Sequence, residues 1–164
     1  EKVSEFTLKL RVPNWTKNEV IPSDLYQYTK KSSKKTRISI NGKPTPIEEI
    51  NGYFSITKTW NKGETITLDF PLEVKKVVSN ANVIENKNKI ALEYGPLVYA
   101  IEEIDNKINF DAITINSSDA FEIKKDTILG SIITLKNEKL KAIPYYAWSN
   151  RGVGKMKVWI PKEN

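Results

Sequence analysis

Apolar residues fall at every second position through most of this chain. Phe6, Leu8, Leu10 and Val12 alternate with Thr7, Lys9 and Arg11. Ile38 and Ile40 alternate ahead of Asn41-Gly42, and a later segment beginning near Tyr53 carries Phe54, Ile56 and Trp60 on one side. Ile66, Leu68 and Phe70 repeat the spacing. A period of two is that of a strand with one buried face, because successive side chains point to opposite sides of the pleat. Turn signals punctuate these runs: Asn41-Gly42, whose two residues tolerate positive φ, then Asn61-Lys62-Gly63, then Pro71 as a strand end. The pattern predicts a meander of short antiparallel strands.

The second half has more continuous apolar runs. Ile90, Leu92 and Tyr94 alternate up to a turn at Gly95-Pro96, and Leu97 to Ile101 are apolar on both faces, as in a strand covered on each side. Further strands are expected around Ile113 and Ile115, Phe121 and Ile123, Ile132 to Leu135, and Met156 to Ile160. The one helical expectation is Ser23 to Lys31, where Ser23 or Asp24 could cap a turn or two. The fold class is therefore all-β, an antiparallel β-sandwich architecture, with two small packed sandwiches and little helix. The division is placed at 1–76 and 77–164, where Lys75-Lys76 and Ser79-Asn80 interrupt the apolar pattern.

Composition narrows function more than fold. Hydrophobic residues make up 39% of 164 residues, with four tryptophans, which is enough for a packed core. The formal charge of +6 is modest. Much of the excess sits in Lys30, Lys31, Lys34, Lys35 and Arg37, a run without interleaved aromatics, so it is a solvated loop and nucleic acid is not an expected partner. No apolar run approaches the roughly 20 residues that cross a bilayer as a helix, and no membrane partner is expected. The first residues lead almost directly into a strand pattern, without a signal peptide, which suggests a segment of a longer protein.

The chain has no histidine and no cysteine. That excludes Ser–His–Asp and Cys–His catalysis, zinc sites built on Cys or His, and disulfides. The seven glycines stand singly in turns, so no phosphate-binding loop is formed and no cofactor is expected. Paired carboxylates remain the one catalytic option. Glu102, Glu103 and Asp105 are the densest acidic group, but Glu102 and Glu103 point to opposite faces of an extended strand and read as a solvated strand end. Glu48-Glu49 lies in a Pro-flanked loop. No catalytic residue is assigned. Aromatic side chains could stack on sugar: Tyr26 and Tyr28, or Tyr145, Tyr146 and Trp148. Trp60, Trp159 and Tyr99 are expected in the core.

Five strings carry a resemblance. They are Leu8-Lys9-Leu10-Arg11-Val12-Pro13-Asn14-Trp15, Ile40-Asn41-Gly42, Gly52-Tyr53 with Thr59-Trp60 and Gly63-Glu64, Ile90 through Tyr99, and Pro144-Tyr145-Tyr146-Ala147-Trp148-Ser149-Asn150-Arg151-Gly152. In order and spacing they resemble the region after the catalytic barrel in the β-L-arabinofuranosidase-like glycoside hydrolases of family 127, formerly DUF1680. The resemblance implies a parent glycoside hydrolase with an (α/α)6 barrel bearing a nucleophilic cysteine, glutamates and zinc. None of those motifs occurs here. Residues 1–76 would be the middle sandwich, without its first strand or strands, and residues 77–164 the C-terminal one. The segment Thr16 to Thr36 is longer than the family's connection, and Tyr94 stands where the family commonly has Arg.

The implied role is a non-catalytic accessory region that packs against and stabilises that upstream barrel of the same polypeptide, or a second subunit. Trp15, Tyr145, Tyr146, Trp148, Asn150 and Arg151 are its candidate interdomain contacts. The alternative is a carbohydrate-binding module for plant-type polysaccharide, stacking through Tyr26 or Tyr28. The resemblance also favours a secreted or periplasmic location.

Overall fold

The computed structural model describes residues 3–107, 109–127 and 129–163. The chain forms two compact units, one from residues 1–19 and 32–72, the other from 20–31 and 73–164. The strands in chain order are β1 (Ser4–Arg11), β2 (Tyr26–Tyr28), β3 (Arg37–Ile40), β4 (Lys43–Pro44), β5 (Glu49–Ile50), β6 (Tyr53–Trp60), β7 (Ile66–Asp69) and β8 (Val74–Ser79). There follow β9 (Lys89–Tyr94), β10 (Leu97–Glu102), β11 (Glu122–Asp126), β12 (Ile132–Lys136), β13 (Lys141–Pro144), β14 (Met156–Lys157) and β15 (Ile160–Pro161). Helical structure among the described residues is confined to four single 3-10 turns. The all-β reading holds.

The first unit is a sandwich of two three-stranded sheets, ordered β1-β6-β5 and β4-β3-β7. Val12, Phe54 and Ile56 from one sheet and Ile38 from the other are buried together, with Leu10, Ile40, Trp60, Ile66 and Leu68 packed around them. Each such aliphatic or aromatic side chain contributes about 1.5–3 kcal/mol when fully buried, so the alternation at these positions selects the inner faces. Asn41 and Gly42 have φ of 50° and 76°, and they join Ile40 to its partner Lys43. Asn51 and Gly52, at 52° and 82°, make an equivalent turn between Ile50 and Tyr53. The expected meander is corrected here. The Asn61–Gly63 turn leads β6 to β7, but β6 pairs with β1 while β7 pairs with β3, in the other sheet.

The second unit is built on one nine-stranded antiparallel sheet, ordered β11-β12-β13-β10-β9-β8-β2, with β14 on β10 and β15 on β9. Ile90, Leu92, Tyr99 and Ile101 line one face with Leu135 and Ala142, and Phe110, Ile113 and Ile115 close over them. Tyr99 is 1% exposed and donates its hydroxyl to the Ile133 carbonyl at 3.0 Å. On the opposite face Tyr28, Val77 and Ala91 pack with Tyr26, Val158 and Trp159. Trp159 and Trp60 are thus partly buried supports of two cores rather than their centres.

Two local expectations fail. Residues 23–31 do not form a helix: Ser23 Oγ accepts the Leu25 N–H at 3.3 Å in a short turn, and β2 follows at once, paired with β8. The boundary lies at Leu72/Glu73, not at residue 76, because β8 is an inner strand of the second unit's sheet. Its lysines hid it. Lys75 lays its ammonium 4.4 Å from the Tyr28 ring centroid, and Lys76 sits 5.6 Å from that of Phe121. Their aliphatic stems serve as apolar surface while the heads reach polar partners.

Candidate functional site

The second unit carries its distinctive chemistry where β13 ends. Pro144 is fully buried, and the chain then makes a 3-10 turn over Tyr145–Ala147. Ala147 is the inward residue of that turn, packed with Ile132 and Ile143. Its neighbours therefore point out: Tyr145 is 46% exposed, Tyr146 63% and Trp148 36%. The Tyr145 and Trp148 rings lie 6.1 Å apart between centroids, tilted by 39°. Val153, five residues beyond Trp148 in the chain, is fully exposed.

An ionic clamp holds this rim in place. Ser149, in a left-handed conformation with φ of 64°, donates its N–H to Glu102 Oε1 at 2.8 Å. Arg151 donates to both oxygens of Asp105, with the Nη1 bond at 2.9 Å, and also to Glu102 Oε2. Lys141 extends the network, 3.6 Å from Asp105 and 2.7 Å from Asp126. The carboxylates hold the Arg151 guanidinium protonated, Asp105 foremost, against the opposing effect of burial. Asn150 hydrogen-bonds the carbonyls of Ala147 and Trp148 within the segment. Beneath, Asn106 is 8% exposed, donates to the carbonyls of Glu102 and Lys141, and accepts the Lys141 N–H.

Glu102, read from sequence as a solvated strand end, is 7% exposed and committed to this clamp. A carboxylate that already accepts from Ser149 and Arg151 is an anchor, and its partner across the acidic string is Asp105, not Glu103. Glu103 turns the other way and takes the Lys155 N–H at 3.2 Å. The Arg151 fork could be read from the sequence as seeking a carboxylate. Nothing in the linear string says which one, because the pair is separated by 49 residues.

The remaining candidates scatter. Tyr28 is 9% exposed, donates to Glu93 Oε2 at 2.8 Å, and has Lys75 over its ring, so it has no free face for a sugar. Tyr26 is half-buried against Trp159, with centroids 5.6 Å apart. Trp15, in the first unit, is half-buried and packs on Phe70 at 5.7 Å. Exposed aromatics among the sequence candidates are thus confined to Tyr145, Tyr146 and Trp148. No cluster of three or more acidic side chains that could hold a metal ion occurs among the described residues.

Comparison with known proteins divides the chain at the same point, between residues 72 and 74, although it counts residues 20–31 with the first part. The glycoside hydrolase family 127 middle-domain model (beta-L-arabinofuranosidase) matches residues 1–72, and the family's C-terminal domain model matches residues 74–161. A curated relative, the non-reducing end beta-L-arabinofuranosidase of Bifidobacterium longum subsp. longum, is 26% identical over 92% of this chain. The chain spans only 25% of that protein. Among solved structures, a GH127 beta-arabinofuranosidase superposes with a TM-score of 0.90 at 32% identity, covering 99% of this chain and 28% of that one. The GH127 beta-L-arabinofuranosidase of Geobacillus stearothermophilus T6 gives 0.81 at 28% identity, covering 99% and 27%.

Proposed function

The chain belongs to glycoside hydrolase family 127, as its middle and C-terminal domains, and we propose that it is the non-catalytic accessory part of a β-L-arabinofuranosidase-like hydrolase. In this reading it packs through the Tyr145–Trp148 rim against the catalytic barrel of the same polypeptide and stabilises it. The observation that carries the proposal is the pairing of exposed aromatics with a buried ionic base. An aromatic rim on mobile backbone would lose its binding energy to ordering; one clamped by Glu102, Arg151 and Asp105 is already ordered before it meets a partner. Tyr and Trp at a contact supply large area with a polar tip, the composition of interface hot spots. An intramolecular interface of this kind covers about 600–1,500 Å², which three such rings can centre. The secreted or periplasmic location favoured by the resemblance is kept as part of the same proposal.

The chain itself contributes no catalytic group in this reading. With no thiol and no imidazole, its reactive side chains are carboxylates, and the best buried of them, Glu102, is spent on the clamp. The test is association between this chain and a separately expressed barrel, followed by calorimetry. Tyr146→Ala with Trp148→Ala should weaken binding by at least about tenfold, as loss of hot-spot aromatics does, with the circular dichroism spectrum unchanged. The same substitutions should leave no glycosidase activity to lose, because the chain alone turns over no aryl β-L-arabinofuranoside. Undiminished binding to the barrel, or saturable binding of arabino-oligosaccharides abolished by Trp148→Ala, would replace the docking role with another.

A further inference from the structure

The turn that leads into β9 gathers lysines. A 3-10 turn over Ile84–Asn86 is followed by Asn88 in a left-handed conformation, with φ of 56°. Lys87 and Lys89 flank that residue. The Asn88 carbonyl accepts the Lys162 N–H at 2.8 Å, next to the pairing of Pro161 with Lys89. The backbone thus brings three lysines from two distant stretches to one place in the second unit. They line a cavity of about 480 Å³, walled on its other side by the end of β8 and by Gln27 of β2. That volume is in the range of small-molecule sites, about 300–1,000 Å³.

Charge in this cavity has one sign. Lys87, Lys89 and Lys162 are its charged lining residues, and none of them enters an ion pair among the described residues. Elsewhere in the same unit lysines are matched: Lys139 to Asp119 and Glu163, Lys141 to Asp105 and Asp126, Lys155 to Asp111. Two carboxylates beside the cavity are already engaged. Asp24 accepts from Asn80 Nδ2 at 3.2 Å, and Glu163 takes Lys139 at 2.7 Å. Glu85, next to Asn86 in the chain, is exposed and lies outside the lining. Three like charges repel one another, so an anion among them gains attraction and relieves that repulsion. The neutral lining adds the amides of Gln27, Asn86 and Asn88 and the hydroxyl of Ser79. A primary amide both donates and accepts. Sugar hydroxyls can satisfy both halves of it, whereas a bare inorganic anion would leave the amide oxygens unmatched.

We infer that this cavity binds an acidic saccharide, with a uronate carboxylate on the lysines and the sugar hydroxyls on the amides. Membership of a glycoside hydrolase family supplies the saccharide, and the cavity supplies the acid. The site shares no residue with the Tyr145–Trp148 rim, so it stands or falls apart from the docking reading.

Titration of the full chain, followed by amide chemical shifts, reads both the place and the affinity. The probes are a short oligogalacturonide, a neutral arabino-oligosaccharide of equal length, and inorganic phosphate. The oligogalacturonide should shift the amides of residues 79–81 and 86–89 saturably, at concentrations where the other two do not. Lys89→Gln with Lys162→Gln should weaken it about tenfold or more, since charge-assisted bonds are lost while the aliphatic stems remain. Lys30→Gln with Lys31→Gln removes equal charge from the same unit away from the cavity, and should leave the affinity unchanged. Wild type at about 1 M salt, where screening acts within about 3 Å, should lose affinity as the cavity variant does. That last arm needs no substitution to fold. Four results would each overturn the inference: no saturable shift, equal binding of the neutral sugar, equal binding of phosphate, or equal losses in the cavity and control variants.

Discussion

At Arg151, one side chain bridges two carboxylates and holds a backbone loop through them. Removing the cation leaves Glu102 buried without its counter-charge, a situation that costs about 3–5 kcal/mol. Arg151→Ala should therefore lower the chemical-denaturation stability of the second unit by that order. Arg151→Lys should recover less than half, because a single ammonium cannot reproduce the fork that spans Asp105 and Glu102. A substitution without effect on the midpoint would remove the clamp from the account. Glu93 offers a pH test. Burial pushes its carboxyl above the ordinary 4.5, while the Tyr28 hydroxyl and Lys75 pull it down less strongly. A group whose folded pKa is raised contributes stability that is complete below its unfolded pKa and is lost as pH rises through the folded value. The stability of wild type relative to Glu93→Gln should thus decline as pH climbs from 4.5 toward neutrality. Glutamine keeps an oxygen to accept the Tyr28 hydroxyl and has no charge to bury. A difference that is flat with pH, or rises, would show that the paired and desolvated carboxyl is not what the geometry implies.

Elements were legible in proportion to how far local chemistry determines them. The Asn41-Gly42 and Gly95-Pro96 turns were readable because a left-handed or proline-fixed backbone can be recognised in two letters. Asn51-Gly52 is the same signal, passed over because a two-residue strand precedes it. Strand β8 was unreadable for a different reason: Lys75 and Lys76 bury their stems and cross-pair with a ring, so polarity by residue type misstates their contribution. Strand β2 lost its identity to a serine that caps a turn rather than a helix. At Gly95–Pro96 the reading can be tested. Tyr94 and Leu97 face each other across the turn, and Gly95 has φ of 59°, with proline following. That is the arrangement of a two-residue hairpin led by glycine. Gly95→Ala must place a side chain in the left-handed region, and should cost about 1–2 kcal/mol by thermal or chemical denaturation. An unchanged midpoint would mean that the turn relaxes elsewhere. The candidate site was half legible by the same logic. Its aromatic string and Arg151 stand out locally, whereas Glu102 and Asp105 acquire their roles only when β10 and the loop after β13 are brought together.

Over the whole molecule, chain order and unit membership diverge. Residues 20–31 leave the first unit, supply strand β2 to the second, and return. A linear cut was therefore bound to misassign them, since a three-residue edge strand announces nothing about which sheet will take it. What fixes β2 is long-range pairing. Tyr26 faces Ser79, Gln27 faces Val78 and Tyr28 faces Val77, and the Thr29 N–H reaches the Lys76 carbonyl at 2.9 Å. In that register Gln27, two residues before Thr29, also directs its N–H at β8, while its side chain is exposed. Gln27→Pro then removes one ladder donor and disturbs no buried side chain. An unmade backbone hydrogen bond of this kind costs about 1–3 kcal/mol, and the loss should be confined to the unit that owns the strand. Amide hydrogen exchange resolves the two units separately. Protection along β8 and β9 should fall in the variant, while β1 and β6 should exchange as in wild type. If protection fell in β1 and β6 instead, residues 20–31 would belong energetically to the first unit, and the division drawn from the contacts would have to be redrawn.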